Sequence, residues 1–114
     1  MKIQVNTDGH IEGHEALVTH VDDTVQHALQ RFRDHITRVE VHLSDQNGDK
    51  GGLQDKRCVM EARPEGRPPI AVTDDAPSLH QAVRGAADKL ARAIDSQLGR
   101  AASSERSPVK PEAE

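Results

Sequence analysis

Aromatic residues are nearly missing from this 114-residue chain: Phe32 stands alone, with no Trp and no Tyr. The core must therefore be built from Val, Leu, Ile, Ala and Met, and it should be small and of modest stability. Cysteine is limited to Cys58, which excludes an intrachain disulfide; beside Val59 and Met60 it reads as a small buried hydrophobe. No stretch approaches the roughly 20 apolar residues of a membrane span, and the first six residues contain no apolar run of signal length, so a cytoplasmic protein without a membrane partner is expected. There is no excess of positive charge either. Fifteen Lys and Arg face 19 Asp and Glu, a net of −4. That balance does not advertise a polyanion partner, although a local basic patch can act within its own screening length of roughly 10 Å.

What is present is an ordered change of hydrophobic period. Ile3 and Val5 alternate with Lys2, Gln4 and Asn6 and predict a first strand ending at the turn-forming Asp8-Gly9. Leu17, Val21, Val25, Leu29 and Phe32 then recur at the spacing of one helix face. Gly13 is the candidate N-cap, Glu15 favours the positive end of the helix dipole, and Arg31 and Arg33 occupy the last turn, where cations are favoured. A second strand spans residues 36–44, with Val39, Val41 and Leu43 on one face. Because a helical crossover leads to it, it should run parallel to the first if the two pair.

Residues 45–55, with Asn47-Gly48 and Gly51-Gly52, read as a long, mobile hairpin loop. A third strand over 56–63 places Cys58, Met60 and Ala62 on one face, and Pro64-Glu65-Gly66 closes the next hairpin. The fourth strand, 67–73, has Ile70 and Val72 as its buried side and begins with Pro68-Pro69, which removes two ladder donors and argues for an edge position. Asp74 and Asp75 as caps, with Pro77 pre-set for the first turn, start a second helix that runs to residue 98 on Leu79, Val83, Ala86, Leu90 and Ile94, with Gly99 as its stop. The fold class is α+β, ordered β-α-β-β-β-α: a four-stranded sheet with two helices packed on one face. Residues 1–99 form the single domain and 100–114 a disordered tail.

Catalytic patterns are wanting. There is no Ser-His-Asp spacing, Walker loop or paired CxxC. Asp22 and Asp23 are adjacent on a helix and point different ways, so they cannot share a proton. Seven histidines raise a metal-binding hypothesis, and His10 and His14 are four apart. The remaining ones, His20, His27, His35, His42 and His80, read as scattered over solvent faces, without the three or four convergent ligands a site needs. No enzyme activity, cofactor, metal or small-molecule substrate is expected. The basic residues are better organised: Arg31 and Arg33 close the first helix, and Arg84, Lys89 and Arg92 lie on the second, with Lys89 and Arg92 neighbours on one exposed strip. Two readings stand for this strip, a solvated face interleaved with Asp88 and Asp95, or a docking surface.

Residues 2–98 resemble the ribosome hibernation-promoting factor and ribosome-associated inhibitor A family, also called ribosomal subunit interface or sigma-factor modulation proteins. The strand Lys2-Ile3-Gln4-Val5, the helix opening Glu15-Ala16-Leu17, Phe32 near its end, the strand over 36–43, and Ala82 followed by Asp88-Lys89-Leu90-Ala91-Arg92 carry the resemblance in order. It implies a translation inhibitor that binds the small ribosomal subunit in the channel for messenger and transfer RNA during stress, with basic helix side chains on ribosomal RNA phosphates. Lys89 and Arg92 match the family's helix motif; Arg31, Arg33 and Arg84 join them by position. Such phosphate contacts fix position without reading sequence, and shape does much of the rest.

The chain resembles the short family forms, without the C-terminal dimerisation domain of the long ones, and its tail shows no motif to which a role attaches. Family members usually continue the last helix with a dense run of lysines, where this chain has Asp95-Ser96-Gln97-Leu98-Gly99-Arg100, and residues 2–100 hold 13 Lys and Arg against 16 Asp and Glu. The rival expectation is an acidic interaction module that keeps the fold and binds a protein partner instead of RNA.

Overall fold

Why the first apolar stripe holds together is a question of how the helix ends. The computed structural model describes residues 1–8, 14–45 and 56–106, with side chains described for all of these except 14 and 100–106. Helix α1 (His14–Ala28) does not run on through Arg33, as its periodicity predicts. It tightens at Leu29 into a single 3₁₀ turn, Gln30–Phe32. The Leu29 N–H still reaches the Val25 carbonyl at 2.9 Å, but the Phe32 N–H takes the Leu29 carbonyl at 2.9 Å and the His35 N–H the Phe32 carbonyl at 2.8 Å. In a 3₁₀ turn residues three apart eclipse, whereas an α-helix would offset them. Leu29 and Phe32 are thereby both driven into the core. Arg31 and Arg33 consequently sit in the 3₁₀ turn and at its cap, and not in the last turn of α1.

The alternating segments form one sheet in the order β1-β2-β3-β4. Strand β1 (Lys2–Thr7) pairs in parallel with β2 (Ile36–Asp45), as a crossover helix requires, and β2 pairs antiparallel with β3 (Lys56–Pro64), which pairs antiparallel with β4 (Ile70–Ala76). Register aligns Val39 with Ala62, Val41 with Met60 and Leu43 with Cys58. All six are buried, beneath Val21, Val25, Val83, Leu90 and Ile94 of the helices. Burying side chains of this size contributes about 1.5–3 kcal/mol each. The β-α-β-β-β-α order and the two helices on one face of the sheet match the periodicity.

Three expectations fail around β4 and the second helix. Strand β4 starts at Ile70, so Arg67, Pro68 and Pro69 stay outside the ladder to which the prolines could not donate. The chain reverses before them through Gly66, whose φ of 71° suits a residue without Cβ. Asp74 and Asp75 are not helix caps: they extend β4, opposite Cys58 and Arg57. The cap of α2 (Leu79–Arg106) is Ser78, whose hydroxyl accepts the Gln81 N–H at 3.1 Å and donates to Gln81 Oε1 at 3.1 Å, so Pro77 precedes the cap and is not part of the first turn. Finally, α2 passes through Gly99. One glycine costs a helix only about 1 kcal/mol, and Arg100, Ala101 and Ala102 behind it are good helix formers. Residues 100–106 of the expected tail continue the helix. The Asp8-Gly9 turn, the Gly13 cap, most of the loop at 45–55 and residues 107–114 lie outside the described residues.

Candidate nucleic-acid interface

Helices α1 and α2 lie side by side, and the contacts between them rise in number together: His20 meets His80, Asp23 and His27 share a cavity with Arg84 and Asp88, and Arg31 approaches Asp95. The two helices thus run in the same direction and leave a long groove between them. Its middle is a cavity of about 430 Å³ lined by Asp23, Thr24, His27, Ala28, Arg84, Ala87 and Asp88. Beyond it, His27 and Ala28 also border a hollow of about 610 Å³ with Gln30, Arg31, Arg33 and Asp34. Arg84 thus lines the cavity between the helices, and Arg31 and Arg33 line the hollow that adjoins it across His27 and Ala28.

Arg31 lies with its guanidinium 4.6 Å from the Phe32 ring centroid and 3.8 Å from Asp95. Both partners of that ion pair are more than half exposed, so it is worth no more than about 1 kcal/mol and yields readily to a better anion. Arg92 is exposed on the outer side of α2. Among the described residues, Arg33, Arg84 and Arg92 enter none of the ion pairs. Lys89 behaves differently. Spacing puts it beside Arg92, but its ammonium turns toward β4, donating to the Thr73 carbonyl at 2.8 Å and lying 3.0 Å from Asp74.

Histidine placement departs from the sequence reading. His20 and His80 are not scattered: their rings meet edge to face, centroids 4.0 Å apart, where α1 and α2 pack. His20 is half buried and its Nε2 has no partner. Burial pulls its pKa below the ordinary value, helped by the neighbouring His80 and Arg84 and opposed by Asp23. Only the relative register of the two helices brings these rings together, and no local sequence signal carries that. Among the described residues no group of three or more His, Cys, Asp or Glu could hold a metal ion. His10 lies outside them.

The outer face of the sheet offers cations of a different kind. Arg38 pairs with Glu40 at 3.0 Å and donates to Gln4, Arg63 lies 3.6 Å from Glu61, and Arg57 donates to Asp75 at 2.8 Å. That last hydrogen bond, and the charge behind it, hold the Asp75 carboxyl below the usual carboxylate range. These cross-strand and same-strand partners neutralise Arg38, Arg57 and Arg63. Cys58 is fully buried, and desolvation, with Asp74 nearby, pushes its thiol up to about 12, so it is inert at neutral pH. No helix among the described residues is long and apolar enough to cross a membrane.

Comparison with known proteins extends these observations. The family described as sigma 54 modulation protein / S30EA ribosomal protein matches residues 3–101. No protein of curated function matches the chain in sequence. Among solved structures, a ribosomal subunit interface protein from Coxiella burnetii superposes with a TM-score of 0.72 at 18% identity, covering 87% of this chain and 99% of that one. The N-terminal domain of Thermus thermophilus Protein Y gives 0.69 at 18% identity, covering 85% and 99%. At such identity the two structures speak for the fold.

Proposed function

Because the chain belongs to the sigma 54 modulation protein / S30EA ribosomal protein family, we propose that it is a ribosome-associated translation inhibitor that docks its helical side on RNA of the small subunit, in the channel used by messenger and transfer RNA. The family match over residues 3–101 carries the reading. The distribution of charge supports it: Arg33, Arg84 and Arg92 are exposed on the helical side, whereas Arg38, Arg57 and Arg63 on the sheet face are engaged by carboxylates. Arg31 joins them by exchanging Asp95 for a phosphate, and Lys89 lies at the flank of the same surface. The protein works in the cytoplasm as a binding protein, without a catalytic step; arginines on phosphates fix position and not sequence.

Sedimentation with purified small subunits tests this. If three or four phosphates are engaged, a threefold rise in salt lowers the affinity roughly tenfold or more. Arg84→Glu combined with Arg92→Glu should release the protein while leaving its circular dichroism unchanged. Association that ignores both salt and this double substitution refutes the proposed surface. No association even at low salt shifts the reading to a protein partner for the acidic chain.

A further inference from the structure

Strand β4 carries a carboxylate on the wrong side. Register places Asp74 opposite Cys58, on the face of the sheet that packs against the helices, in line with Val72 and Ile70. Its side chain is only 20% exposed. Room for it exists because residue 85 of α2 is a glycine: a Cβ there would lie 2.6 Å from Asp74 Cγ, closer than carbon atoms approach. A charge so placed needs a counter-ion, and Lys89, one helical turn beyond Gly85, supplies it at 3.0 Å while the Thr73 carbonyl takes a further hydrogen bond at 2.8 Å. The lysine side chain remains 47% exposed, so its ammonium stands at the surface with an oxyanion already in place.

We propose that Asp74, seated against Gly85, is an internal competitor of RNA phosphate for Lys89 and holds down the protein's affinity for polyanions. The proposal rests on the reading of the helical side as the RNA-docking surface. A carboxylate presents the ammonium with the same kind of charged oxygen that a phosphate does. Lys89 therefore reaches a phosphate only by leaving Asp74 with its charge uncompensated, and the exchange returns little. Removing the carboxylate's charge abolishes that cost, and the lysine then contributes as an ordinary phosphate contact.

The experiment is a mutant cycle on the full chain, read as salt-dependent retention on heparin resin and as affinity for purified small subunits. Asp74→Asn should raise the affinity by about threefold at moderate salt and steepen the salt dependence by nearly one phosphate contact. Lys89→Gln should cost at least about three times more in the Asp74→Asn background than in the wild type. Glu15→Gln, which removes one exposed negative charge elsewhere, should reproduce little of the gain. Gly85→Ala, which displaces the Asp74 carboxylate without deleting it, provides a second route to the same release if Asp74→Asn folds poorly. Equal costs of Lys89→Gln in both backgrounds overturn the proposal, as does unchanged retention of both Asp74→Asn and Gly85→Ala. A cycle that holds on heparin while no variant sediments with subunits supports the role of Asp74 and overturns the ribosome reading.

Discussion

Replacing Ser78 with alanine isolates one hydrogen-bonded pair at the start of the helix that carries Arg84, Lys89 and Arg92. The hydroxyl accepts the Gln81 N–H at 3.1 Å, satisfying one of the four amide donors that the first turn leaves without a partner, and donates to the Gln81 side chain at 3.1 Å. Loss of such a cap costs about 1 kcal/mol. For a domain of this size that corresponds to a fall in melting temperature of about 4 °C. Ser78→Asp should restore most of it, because aspartate caps as well as serine and places its charge at the favourable end of the helix dipole. Thermal unfolding followed by circular dichroism reads all three proteins. A Ser78→Ala melting temperature within about 1 °C of wild type, or a Ser78→Asp protein no more stable than the alanine variant, would refute the assignment of the cap.

Two further outcomes follow from the titratable groups. His20 has a lowered pKa in the fold, so below about pH 6.5 the unfolded chain takes up a proton before the folded one does, and folding stability declines as the pH falls. Denaturant unfolding at several pH values should show this slope in the wild type and a shallower one in His20→Gln; equal slopes would discount the His20 environment. Cys58, buried with its thiol pushed up to about 12, should resist iodoacetamide in the native protein at pH 8 and react on unfolding. Labelling at native rates comparable to a free thiol would contradict its placement.

Most of the architecture could be read from period alone, because each element has one buried face and its residues repeat accordingly. Cys58, Met60 and Ala62 alternate in the sequence and are buried together in the sheet. The misreadings cluster where two local preferences compete. Asp74 and Asp75 are good caps in isolation, yet strand pairing with Cys58 and Arg57 outweighs capping, and Ser78, an equally good cap three residues on, takes the helix start. Gly99 is a good stop, yet helix formers on both sides carry α2 past it. In the groove, the arginines were legible as residue types on helices, whereas the diversion of Lys89 to Asp74 and the meeting of His20 with His80 depend on how the elements dock.

The parallel pairing of β1 with β2 also fixes an order of assembly. Strands β2, β3 and β4 form a meander in which each finds its partner in the next segment of chain, so those contacts close early. Strand β1 has no such neighbour: Lys2 pairs with Arg38, and the whole of α1 must be threaded across before the first ladder bond can form. The earliest residues of this chain are thus among the last to be accepted into the sheet.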